Sequence, residues 1–209
     1  PQADNRCIRL VVGQVPKDAS IRCGVPEGAA VRTNNSLIEA VRKAHPNDYI
    51  LYKPHPVVVS GLSRGDHEEN DWSTWADDVL LEGDMAQLLD AVDAVSVLTS
   101  LTGFEALLRG IPVEVYGQPF FAGWGLTQDV LPPPSRRGRL LQLDELVFGT
   151  LFHYPMYICQ RSGAHITPEQ ALVQLLELKR QGLKPLTLRQ KMHRGWRRGV
   201  ESLEPLWNR

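Results

Sequence analysis

Short apolar, β-branched runs alternate with segments of helical spacing along the first half of the chain. That rhythm limits the fold more than composition does. Residues 7–15 (CIRLVVGQV) read as a buried strand. Asn34–Ala44 opens on capping residues and sets Leu37, Ile38, Val41 and Ala44 on one face, which predicts a helix. Tyr49–Tyr52 is the next strand and Val79–Leu81 a brief third. Helical spacing returns over Met85–Val92, followed by a strand at Ala94–Leu98, a helix at Thr102–Arg109 stopped by Gly110, and a strand at Pro112–Tyr116. Strand and helix alternating through short connections predict an α/β fold: a Rossmann-like parallel sheet with helices on both faces.

The alternation stops after Gly117. Residues 118–139 form a long loop rich in Gly, Pro and aromatics, and such loops in compact domains are usually functional. Helices resume over about Asp144–Phe152 and, after the Thr167-Pro168 start, over Glu169–Arg180. A final stripe of Leu188, Met192, Trp196, Val200 and Leu203 repeats at helical spacing opposite a set of arginines. The expected division is a Rossmann-like domain over 1–165 and C-terminal helices over 166–209. Residues 63–78, polar with Trp72 and Trp75, read as an insertion loop.

Composition narrows the class. Among 209 residues, 43% are hydrophobic and 22% charged, a globular balance that excludes disordered and fibrous chains. No stretch approaches the ~18 consecutive apolar residues of a membrane-spanning helix. The opening Pro-Gln-Ala-Asp-Asn has neither Met nor an apolar signal core, so we expect no secretory signal and a piece of something longer. Three cysteines without metal-ligand spacing read as reduced thiols, which points to the cytoplasm. Residues 186–209 carry six basic residues against two acids, leaving an acidic body; nucleic acid is therefore not the expected partner. The basic end fits an anionic surface or a second domain.

In open parallel sheets, ligands bind beyond the carboxyl ends of the strands, and that rule gathers four polar clusters on one rim. They are Gln14–Ser20, Lys53–Pro56, Thr99–Gly103 and Gly117–Phe120. Ser100, Thr102 and Gly103 at a helix start form a natural anion site, or else a hydroxyl there merely caps the helix. His55, held between two prolines, can donate to phosphate; His45, before Pro46, falls on the opposite rim. Asp18 reads equally as a nucleophile or base and as a turn acid beside Pro16. Glu105 reads as a ribose acceptor or a solvated helix position, and Arg136, Arg137 and Arg139 as phosphate neutralisers or solvated charges. Gln14, Ser20, Lys53 and Gly117 complete the rim candidates. His153 and His165 stand apart, so no metal is expected, and neither a Walker loop nor a GxGxxG fingerprint is present.

Residues 99–110 (TSLTGFEALLRG) and 116–129 (YGQPFFAGWGLTQD) resemble the bacterial capsular polysaccharide retaining β-Kdo transferases. So do 13–21 (GQVPKDASI), 52–56 (YKPHP) and 143–147 (LDELV), a span of roughly 7 to 160. Phe121 stands where a tyrosine is expected in the family. The resemblance implies the C-terminal, donor-binding half of a two-lobed GT-B glycosyltransferase, without its N-terminal acceptor lobe. It implies CMP-Kdo as donor, a lipid-linked Kdo acceptor and no cofactor. By the same resemblance His55 and Ser100 contact the phosphate, Thr102 lies nearby, Glu105 lies near the ribose, and Asp18 is the nucleophile of a double displacement. Three other readings stand beside it: a UDP-sugar transferase or epimerase on this scaffold, a nucleotide-binding module inactive alone, and a membrane-surface helix over Leu188–Leu203.

Overall fold

The computed structural model describes residues 6–59, 72–159 and 161–182. The chain divides into two compact units, Pro1–Phe148 and Gly149–Arg209, where the sequence pattern had put a division at 165/166.

The first unit is built on six parallel strands: β1 (Ile8–Val12), β2 (Tyr49–Lys53), β3 (Asp78–Val79), β4 (Ala94–Val97), β5 (Val113–Val115) and β6 (Gln128–Asp129). Their order across the sheet is β3-β2-β1-β4-β5-β6. The helices are α1 (Ala19–Gly24), α2 (Asn34–Ala44), α3 (Pro56–Val59), α4 (Met85–Leu89), α5 (Thr102–Leu107) and α6 (Leu143–Val147). Because side chains alternate along a strand, the buried runs divide into two cores. Leu10, Val12, Val95 and Val97 meet Leu89, Phe104, Leu107 and Leu146 on one face. Val11, Ile50 and Tyr52 meet Ile21, Leu37, Ile38 and Val41 on the other. Helices therefore cover both faces, as the rhythm predicted.

Local chemistry sets the helix ends. Thr33 caps α2 in a box with Ser36, and Asp18 caps α1 by accepting from Ser20 N–H at 2.8 Å. Of residues 63–78, those from Trp72 on are described. Trp72 is buried and packs its ring 5.1 Å from Tyr52. The expected helix over Asp144–Phe152 is shorter than the pattern implied: α6 ends at Val147 and the chain widens into a π-type turn over Phe148–His153.

The second unit holds an antiparallel pair, β7 (Tyr157–Ile158) with β8 (His165–Ile166), and helix α7 (Pro168–Arg180). Thr167 caps α7 in a box with Gln170, with Pro168 in the first turn. Leu172, Val173, Leu175, Leu176 and Leu178 of α7 are all exposed. The stripe Leu188–Leu203 lies outside the described residues. No helix among the described residues is long and apolar enough to cross a membrane, and all three cysteines are free thiols.

Leu10 is fully buried between β2 and β4, so Leu10→Ala leaves a cavity in the sheet's centre. The expected cost is about 2–5 kcal/mol, read as a lower urea midpoint with unchanged slope.

Candidate functional site

In the first unit, connections leaving β1 turn toward β2 and those leaving β4 toward β5, so β1 and β4 flank a topological switch point. A cavity of about 590 Å³ lies beyond their carboxyl ends, within the range typical of small-molecule sites. Gln14, Asp18, Ser20, Lys53, His55, Ser100 and Thr102 all line it. Three of the four clusters read from the sequence thus converge. The fourth, after β5, supplies only Phe120.

The end of β2 delivers two cationic or donor-bearing side chains. Lys53 is buried and donates through Nζ to the Leu81 carbonyl at 3.0 Å. His55 sits just before α3, and the Val57 amide donates to its Nδ1 at 3.2 Å. With Nδ1 an acceptor, the neutral ring carries its proton on Nε2, leaving that nitrogen a donor. Gly13 makes the approach possible. A Cβ there would lie 2.4 Å from the Tyr52 hydroxyl and 3.2 Å from Pro54 Cα, so only glycine lets β1 exit this close to β2.

Across the crevice, the segment after β4 carries the hydroxyls. Ser100 Oγ donates to Thr102 Oγ1 at 3.2 Å and accepts from Thr102 N–H at 3.3 Å. The cap position of α5 is Leu101, which makes no side-chain cap bond, so neither hydroxyl is its N-cap, and Ser100 and Thr102 both line the cavity. Asp18 Oδ1 is engaged as the cap of α1, so the turn-acid reading is also realised without removing its carboxylate from the cavity lining. The side-chain amide of Gln14 faces protein: it bonds Ser20 and Thr99, both at this rim.

Six sequence candidates do not line the cavity. A Cβ on Gly103 would meet Phe121 Cζ at 2.7 Å and Val97 Cγ2 at 3.1 Å, so this glycine seats α5 against the sheet. Gly117 serves the same kind of close approach, 2.7 Å from Thr99 Cγ2 by that measure. Glu105 is half-buried along α5, and Arg136 and Arg139 are exposed. Arg137 is buried and donates to the carbonyls of Pro119 and Ala122, both at 2.7 Å, and of Gln118 at 3.2 Å. Burial and the adjacent Arg136 lower its pKa. Its guanidinium organises the 118–139 loop, with Trp124 stacked 5.7 Å away.

Phe120 ends the fourth rim cluster, but the sequence assigns it no role of its own. It is 41% exposed, lies edge-on to Phe104 and Phe121 at 5.1 and 5.3 Å, and lines the cavity beside Met85 and Leu101. Its neighbour Phe121, just past that cluster, is fully buried. His45 falls on the other rim, as expected. Its Nε2 lies 3.2 Å from Glu114, in a cluster where Arg9 donates to Asp48 at 2.8 Å. Among the described residues, no group of three or more His, Cys, Asp or Glu is arranged to hold a metal ion.

A family model described as "capsule polysaccharide biosynthesis protein" matches residues 1–164. The chain belongs to that capsule polysaccharide biosynthesis family. LipA of Neisseria meningitidis serogroup B, a capsule polysaccharide modification protein, is 48% identical over 179 residues, 86% of this chain and 25% of LipA. LpsZ of Rhizobium meliloti, a lipopolysaccharide-processing protein, is 41% identical over 175 residues, 84% of this chain and 39% of LpsZ. Among solved structures, the β-Kdo 2,7 transferase of Thermosulfurimonas dismutans KpsC matches with TM-score 0.75 and 42% identity, over 86% of this chain and 55% of that one. The KpsC β-Kdo 2,4 transferase matches with TM-score 0.66 and 28% identity, over 84% and 54%. The capsule-family chain therefore spans a quarter of LipA and about half of each KpsC chain.

In this capsule-family member, Gly103 serves packing, so Gly103→Ala should destabilise the protein by about 1–3 kcal/mol through overpacking against Phe121. Chemical denaturation measures the loss, and Gly103→Ala/Phe121→Leu should recover part of it.

Proposed function

We propose that the cavity binds the cytidylate of CMP-Kdo and that the chain is the donor half of a retaining β-Kdo transferase acting in capsule polysaccharide assembly. The observation that carries this reading is the convergence of an imidazole donor, a hydroxyl pair and a carboxylate at one switch-point cavity. The similarity to β-Kdo transferases, at 42% identity to one of them, supports it.

The chemistry follows from charge. CMP departs as an anion, so the site must stabilise charge growing on the phosphate. His55 Nε2–H, Ser100 and Thr102 supply donors, and Lys53 supplies a buried positive charge at the same wall. Asp18 attacks the anomeric carbon of Kdo as the bond to the phosphate oxygen breaks, its electron pair leaving with CMP. The acceptor hydroxyl then displaces the Asp18 ester, restoring the carboxylate and releasing the hydroxyl proton to solvent. Two inversions give net retention, as with carboxylate nucleophiles in retaining glycosidases. Phe120 offers a ring face for the base. A lipid-linked Kdo acceptor would be presented by the expected second lobe, at the cytoplasmic side of the inner membrane.

A second reading rests on coverage: the matched region spans 55% and 54% of the two KpsC chains, and by this reading it holds nucleotide but transfers nothing without the rest. Assay with CMP-Kdo and acceptor, with and without the remaining part of a full-length relative, separates the two.

Calorimetry with CMP, UMP and UDP tests the site. CMP should bind tightest; equal or tighter UDP binding favours the UDP-sugar alternative. His55→Ala should weaken CMP by about ten- to a hundredfold, the worth of one hydrogen bond to a charged acceptor. Asp18→Ala should abolish transfer in the complete enzyme while leaving CMP affinity within about threefold. Parallel loss of nucleotide affinity in both variants would refute this division of roles.

A further inference from the structure

Gln14 occupies the rim between the two halves of the site, and all of its polar groups are engaged within the protein. Its backbone N–H donates to Asn34 Oδ1 at 2.9 Å, and its carbonyl accepts from Asn34 Nδ2 at 2.9 Å. Its side-chain Oε1 accepts from the Thr99 amide at 2.9 Å, while Nε2 donates to Thr99 Oγ1 at 3.1 Å and Ser20 Oγ at 3.2 Å. Ser20 and Thr99 hydroxyls close the circuit at 3.0 Å. Only 7% of the residue is exposed. Four segments meet on it: the end of β1, the first turns of α1 and α2, and the end of β4.

The backbone explains why a side chain is needed here. The ladder between β1 and β4 ends at Val12↔Val97, because beyond it the two chains turn to opposite sides of the switch point. No further main-chain rung can form, yet the functional turns lie on either side of that gap. The carboxamide of Gln14 takes the place of a rung, since it presents a carbonyl and an N–H as a peptide group does. It accepts the Thr99 amide as a strand carbonyl would.

We propose that Gln14 is a positioning residue: it touches no ligand, and it fixes the spacing between the Asp18–Ser20 turn and the Thr99–Thr102 turn. The effect on ligand rests on the reading of the cavity as a nucleotide site; the clasp itself does not. Asn34 belongs to the same device, although it does not line the cavity.

Amide hydrogen exchange and CMP titration on the whole chain test this together. Gln14→Ala should raise exchange at Thr99 at least tenfold, leave Val95 in the middle of β4 unchanged, and weaken CMP about tenfold. Gln14→Glu, which keeps the acceptor for the Thr99 amide, should hold Thr99 exchange within about threefold of wild type. Asn34→Ala should weaken CMP at least threefold and, combined with Gln14→Ala, add less than the sum of the two. It carries the test if Gln14→Ala fails to fold. Unchanged Thr99 exchange in Gln14→Ala, or full additivity with Asn34→Ala, overturns the clasp. Deprotection of Thr99 in a protein that takes up no CMP supports the clasp and overturns the nucleotide reading alone.

Discussion

Parallel pairing of β1 with β4 creates the crevice from which the rest of the site follows. The strands share a register from Arg9↔Ala94 to Val12↔Val97, so their ends finish level. Their connections then diverge, and the space between them is the cavity. The pairing is held by burial on both faces: Leu10 and Val12 look into one core, Val11 into the other. Burying a side chain of that size contributes roughly 1.5–3 kcal/mol, so the frame is carried by apolar packing. The polar residues at its lip are free to serve geometry and ligand.

The two His-Pro pairs show how strand direction assigns roles to similar residues. His55 follows β2 and reaches the cavity. His45 follows α2 and precedes β2, so it lands at the opposite rim, where it meets Glu114 and lies near Asp48. There Ser96 donates to Glu114 at 2.9 Å, and the Tyr116 hydroxyl is pushed above its ordinary pKa by burial and by that carboxylate. That rim is a closed ionic cluster among buried strand starts. The site rim instead carries hydroxyls, an imidazole and a carboxylate along a cavity wall.

Much of this was legible because the signals were physical and local. Apolar β-branched runs marked the strands, and α2 spans the predicted Asn34–Ala44, although its cap is Thr33 and not the Asn or Ser that opens it. Strand order then placed Asp18, His55 and Ser100 together. What escaped was of another kind. The π-type turn at Phe148–His153 shares the apolar spacing of the helix before it, and the β7–β8 pair has two residues per strand. Helix α1, six residues long and capped by Asp18, is too short to show a helical period in the sequence. Roles of single polar side chains were hardest. Gln14 and Arg137 read in the sequence as ligand groups, and only coordinates reveal that their donors are spent on Thr99, Ser20 and loop carbonyls. Phe120 and Phe121 are adjacent and chemically identical, and one lines the cavity while the other fills the core.

The Arg137 clamp bears on the wall that Phe120 forms. Its partners are neutral carbonyls inside the protein, and dissolved ions screen exposed charge pairs far more than buried hydrogen bonds. The aromatic side of the cavity should therefore keep its shape as ionic strength rises, even while the attraction of the opposite side for an anion fades.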